Sequence, residues 1–140
     1  MTESTSTPTY LYKIVPESAA PPDPLPDRLP VSALDEQDGF IHLSTAKQVL
    51  GTLNRFFAND QKIYLLRLEY TKVKELIKWE NHQREEGKEG AEGYFPHIYN
   101  GNNLGKKEVE SVSSVNRKEG EDSWEQGIGF DCGLVCLLIY

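Results

Sequence analysis

Six of the chain's eight prolines fall between Pro16 and Pro30. Proline fixes φ, lacks the N–H donor and holds its predecessor in extended geometry. That stretch can be neither a helix interior nor a central strand. Residues 20–30 are therefore expected to run as an extended surface loop, after a short helical turn at Glu17–Ala20. The loop separates a first strand, Tyr10–Val15, rich in aromatic and branched residues, from everything that follows.

Beyond the loop, Gly39–Ser44 reads as a second strand entered by the Asp38-Gly39 turn. The clearest helix comes next. Ala46, Val49, Leu50, Leu53, Phe56 and Phe57 form one apolar stripe, and Thr45 with Gln48 supplies a capping-box pattern at its start. The stripe is expected to pack on a sheet containing Lys62–Glu69, whose nearly continuous apolar content suggests burial on both faces. Thr71–Ile77 suggests a short helix. Tyr94–Tyr99 reads as an edge segment, because Pro96 is excluded from a central ladder. Val109–Val115 and Gly133–Tyr140 complete the strands. Helices and strands do not alternate in a βαβ rhythm, so the fold class is α+β with mostly antiparallel or mixed sheets. A chain of 140 residues supports one domain. It is read as residues 10–140, after a disordered segment at 1–9, with a mobile loop at 84–93 and a polar insertion at 116–129.

The net charge of −7 argues against non-specific nucleic-acid binding, which needs a basic face. The two cysteines, Cys132 and Cys136, match no zinc or redox spacing and sit in an apolar tail. The chain start shows no apolar signal-like run, and Leu134–Tyr140 is too short for a membrane span. A cytoplasmic protein with no membrane association is the expectation.

Two of the three histidines, His42 and His97, lie in otherwise apolar strands, where a polar ring needs hydrogen-bond partners. Both stand near hydroxyl groups, Ser44, Thr45 and Tyr99. Each could be a satisfied core residue or part of a site. Ser44 and Thr45 open the helix, where they can cap it or offer an anion site. Trp79 reads as core or as a ring platform, and Glu80 as a solvated or a catalytic carboxylate. H-E-x-x-H, P-loop, G-x-G-x-x-G and G-x-S-x-G patterns are absent, and no metal is expected.

Taken together, Tyr12-Lys13-Ile14-Val15, Asp38-Gly39-Phe40-Ile41-His42-Leu43-Ser44-Thr45 with Gln48, Trp79-Glu80 and Phe95-Pro96-His97-Ile98-Tyr99 resemble the domain of unknown function 952 family. The resemblance covers about residues 10–115. The family pattern continues after the last Tyr with Gly-Pro-Leu, where this chain has Asn100-Gly101-Asn102-Asn103-Leu104. The resemblance implies a fold similar to that of ADP-ribosyltransferases, two small sheets packed as a split barrel around an NAD cleft. It further implies a small nucleotide-type ligand met by Lys13, Ser44, Thr45, Trp79 and Tyr99, with His42, Glu80 and His97 as the catalytic set. Glu80 is the implied partner of an oxocarbenium-like ribose centre. Activity would be ADP-ribosyl transfer or glycohydrolysis; the alternative is a non-catalytic binding module on the same fold.

Overall fold

The computed structural model describes residues 7–117. Its seven strands form two sheets in which every pairing among the described residues is antiparallel. The four-stranded sheet has the order β3-β1-β4-β7, with β1 at Tyr10–Pro16, β3 at Ser44–Thr45, β4 at Lys62–Glu69 and β7 at Val109–Asn116. The three-stranded sheet has the order β2-β6-β5, with β2 at Ile41–His42, β5 at Ile77–Glu80 and β6 at Phe95–Ile98. Both sheets are open, and the fold class is α+β.

The central strand β4 has two apolar faces, as its sequence suggests. Successive side chains alternate between faces. Leu66 and Leu68 join Leu11, Ile41, Ile98 and Trp79 in a core between the sheets. Ile63 and Leu65 join Tyr12, Ile14, Val49 and Leu53 in a second core, where helix α2 (Ala46–Phe56) covers the four-stranded sheet.

Three expectations need correction. The Gly39–Ser44 strand is two short strands belonging to different sheets. Leu43 N donates to Pro96 O at 3.0 Å, but Pro96 has no N–H with which to extend the ladder. Pairing with β6 ends there, and the chain crosses to β1, where Ser44 opposes Tyr12. Consequently Pro96 lies in a central strand, at the end of its partner β2, rather than in an edge strand. Finally, Phe56 is not core: it is 61% exposed. At about 100° per residue it falls at the Thr52 side of the stripe, past the arc defined by Val49, Leu53 and Phe57.

A helix that the sequence reading leaves out, α1 (Ala33–Asp38), follows the proline loop. The turn Glu17–Ala19 matches expectation, whereas the helix expected over Thr71–Ile77 is an α-helix α3 at Tyr70–Val73 followed by a 3-10 turn at Lys74–Leu76, with Ile77 already in β5. The segment after β5 folds back on that strand through Glu80↔Glu86 pairing and Gly87 N donating to Trp79 O. The expectations for residues 118–140 and for the first six residues lie outside the described residues. Among the described residues no helix is long and apolar enough to cross a membrane.

Candidate functional site

Strand register assembles the site. In the three-stranded sheet His42 pairs with His97, and His97 with Lys78. Directly opposed residues share a face, and so do residues two apart along a strand. His42, His97, Glu80 and Tyr99 therefore lie on one face, while Ile41, Ile98 and Trp79 turn to the core. The two imidazole rings meet edge to face with centroids 5.1 Å apart. Phe40 is their floor: its ring stacks on His97 at 4.2 Å and tilts against His42 at 4.6 Å.

Each histidine has its own carboxylate. His97 Nδ1 lies 2.8 Å from Glu80 Oε1, which also accepts from the Tyr99 hydroxyl at 2.8 Å. Burial would raise the Glu80 pKa, but these two hydrogen bonds hold it below the ordinary carboxylate value. Burial pushes His97 below the usual imidazole range, against the pull of Glu80. A neutral ring that donates from Nδ1 carries its lone pair on Nε2, and that atom has no protein hydrogen-bond partner among the described residues. Burial and the adjacent Glu80 charge push the Tyr99 hydroxyl up to about 12, so it remains a donor.

The second pair hangs on α1. Ser32 Oγ accepts from Asp35 N at 3.1 Å, and Gly39 closes the helix in the left-handed region at φ 81°. This short capped turn buries Asp35, which is 2% exposed. Asp35 Oδ1 lies 2.6 Å from His42 Nδ1 and accepts from His42 N; its Oδ2 accepts from Lys13 Nζ at 2.5 Å. Burial acts to raise the Asp35 pKa, but the His42 hydrogen bond and the Lys13 charge bring it below its ordinary value. The other His42 nitrogen, Nε2, stands 3.0 Å from Asp38 Oδ2, and Arg84 holds the second oxygen of Asp38 at 3.0 Å. The His42 ring thus lies between two carboxylates.

His42, His97, Glu80, Asp35, Asp38, Lys13 and Arg84 line a cleft of about 1190 Å³, whose wall also includes the apolar Leu34, Phe56 and Pro22. Lys13, His42, Ser44, Glu80 and His97, all singled out from sequence, lie on its wall. Ser44 is buried and hydrogen-bonded to Thr52 at 3.0 Å. Thr45 serves the reciprocal capping box with Gln48, so its side chain is committed to the helix. Trp79 is not a ring platform: it is buried in the inter-sheet core, and its indole N–H donates to Tyr70 Oη at 3.2 Å. Tyr99 lies beside Phe40 at 5.1 Å and points its hydroxyl to Glu80 rather than lining the cleft.

Asp35, Asp38, Phe40, Arg84 and Asn102 also line the cleft and are not among the site residues expected from the sequence. A signal for Asp35 was available: Ser32 three residues before it and Gly39 after α1 form a start-and-stop pattern for a one-turn helix. Among the described residues, no group of three or more His, Cys, Asp or Glu side chains is placed to hold a metal ion.

The sequence pattern of the family described as protein of unknown function (DUF952) matches residues 25–112. The chain belongs to this family. Its members' shared pattern thus spans α1, both histidines and Glu80. Among solved structures, the crystal structure of protein CC0527 from Caulobacter crescentus is 28% identical, with a TM-score of 0.62 over 84% of this chain and 96% of that one. A solution NMR structure of CC0527 gives 25% identity and a TM-score of 0.61, covering 89% and 97% of the two chains. No curated protein matches the chain.

Proposed function

We propose that the DUF952-family cleft binds NAD or a related nucleotide and that His97 acts there as a general base in ADP-ribosyl transfer or glycohydrolysis. This reading includes the likeness of the two-sheet fold to the split barrel of ADP-ribosyltransferases. The observation that carries it is a pair of carboxylate-held histidines 5.1 Å apart on one wall of a cleft large enough for a dinucleotide. Two titratable groups in unlike environments, one ring buried and neutral and the other between two carboxylates, are the arrangement that acid–base chemistry requires. One lining group is open to such a ligand: Asn102 Oδ1 is a buried acceptor with no protein hydrogen-bond partner among the described residues.

Each residue then has a role. His97 Nε2 takes the proton of the acceptor hydroxyl as its oxygen replaces nicotinamide at the ribose. Glu80 acts through His97, because its Oε1 is committed to His97 and Tyr99. Asp35 fixes His42 and Lys13.

Calorimetry with NAD, adenosine and ATP, together with assay of free nicotinamide, tests the reading. Wild type should bind NAD and release nicotinamide; His97→Asn should bind and release none. Absence of affinity for every adenine nucleotide overturns it. One observation favours a second reading, a binding module without turnover: Lys13, Asp35, His42 and Asp38 already satisfy one another. That reading expects NAD binding with no nicotinamide from either protein.

A further inference from the structure

Arg84 stands apart from the other cations of the cleft. Lys13 is spent on the buried Asp35. Arg55 lies over Phe56 and within 3.3 Å of His82. The Arg84 guanidinium instead lies 4.7 Å from the centroid of Phe40, the ring that carries both His42 and His97. Its side chain is 51% exposed, and its one ion pair among the described residues, to Asp38, engages a single nitrogen. A guanidinium has five N–H donors, so most of its planar fork remains available to a ligand. Asp38 keeps a second ring neighbour in His42 when an anion approaches, because His42 Nε2 lies 3.0 Å from its other oxygen.

The backbone adds an independent observation. Only two non-glycine residues among those described occupy the left-handed region, Arg84 at φ 66° and Asn102 at φ 61°. Both line this cleft. A side chain there is disfavoured, and such residues persist where surrounding structure holds them, commonly at binding sites. The turn is held by Arg84 N donating to Asn81 O and by Asn81 Oδ1 accepting from Gln83 N and Glu85 N.

We propose that Arg84 is the phosphoryl-binding residue of the cleft, receiving a phosphate or pyrophosphate group on the open edge of its guanidinium above the Phe40 floor. The proposal deepens the nucleotide reading by assigning the ligand's anionic part, and it rests on that reading only for the identity of the whole ligand. It also places the anion away from the N-terminus of α2, whose Thr45 and Gln48 cap each other. In a chain of net charge −7, such a local cation is what an anionic ligand requires.

Titration with inorganic pyrophosphate tests it directly. Wild type should bind pyrophosphate saturably. Arg84→Gln should weaken binding by about tenfold or more, the worth of a charge-assisted contact. Arg84→Lys should fall between, since an ammonium cannot bind two oxygens in parallel. Lys47→Gln, an exposed cation in the first turn of α2, should bind as wild type does. Melting temperatures of all three variants should match wild type, which separates lost binding from lost folding. No pyrophosphate binding by wild type, or equal binding by Arg84→Gln, overturns the proposal, as does loss confined to Lys47→Gln. Pyrophosphate binding that depends on Arg84, in a protein with no affinity for NAD, upholds it and removes NAD as the ligand. NAD binding unchanged by Arg84→Gln does the reverse.

Discussion

The two carboxylate–histidine pairs are built by different means. Glu80–His97 is a product of strand register: Lys78 opposite His97 places Glu80 diagonally across from it. Asp35–His42 depends on a helix of six residues that is fixed by Ser32 at one end and Gly39 at the other. The register-built pair joins two side chains and a tyrosine hydroxyl. The helix-built pair ties three segments, because Asp35 accepts from Lys13 in β1 and from both the backbone and ring of His42 in β2. The two carboxylates therefore do different work: Asp35 ties the two sheets together beside the cleft, and Glu80 orients one ring, the base of the proposed reaction.

Removing Asp35 should show the largest effect. Asp35→Ala leaves the part-buried Lys13 ammonium unpaired and frees His42, so stability should fall by about 3–5 kcal/mol in urea unfolding. Glu80→Gln should cost less, about 1–3 kcal/mol, because one buried hydrogen-bonded group is altered within a single sheet. It should nonetheless retain nucleotide affinity while losing nicotinamide release. Equal destabilisation by the two variants would erase the proposed difference.

Acid separates the pairs further. The folded protein holds His97 below the ordinary value of 6.5. As pH falls through about 6.5, the unfolded chain takes up that proton first, so stability declines until the folded ring is protonated as well. Asp35 and Glu80 have folded pKa values below their ordinary 3.8 and 4.5. Their contribution is present above those values and is lost as pH falls through the folded ones. Thermal melts should therefore show two steps of loss; His97→Gln should remove the upper one and shrink the lower one, because His97 helps to hold the Glu80 carboxyl down. Phe56→Ala should have the smallest effect, within about 0.5 kcal/mol, as an exposed substitution on the rim of helix α2. A larger loss would mean that Phe56 packs in the α2 core after all.

What the sequence made legible follows the same division. Lys62–Glu69 was readable to its ends because branched residues occupy both faces of a central strand. His42 and His97 stood out because polar rings in apolar strands need partners. Strand register, which decides that they face one another, depends on long-range pairing and left no local mark. The α1 helix is too short to show periodicity, and a fully buried aspartate is contrary to the usual exposure of that residue type. Arg84 lay within a charge-rich segment read as a mobile loop. Trp79 was ambiguous because its apolar body suits a core or a ligand face equally; the hydroxyl of Tyr70 decided its place. Phe56 followed the apolar spacing but stood at its margin, where the helix ends.

The most direct test of the account is the protonation of the imidazole nitrogens, read by nitrogen-15 NMR of histidine-labelled protein at neutral pH with and without NAD. His97 should be neutral, with its proton on Nδ1 toward Glu80 and an unprotonated Nε2 whose resonance moves when NAD is added. A His97 ring that is charged at neutral pH, or that carries its proton on Nε2, would contradict its assignment as the base.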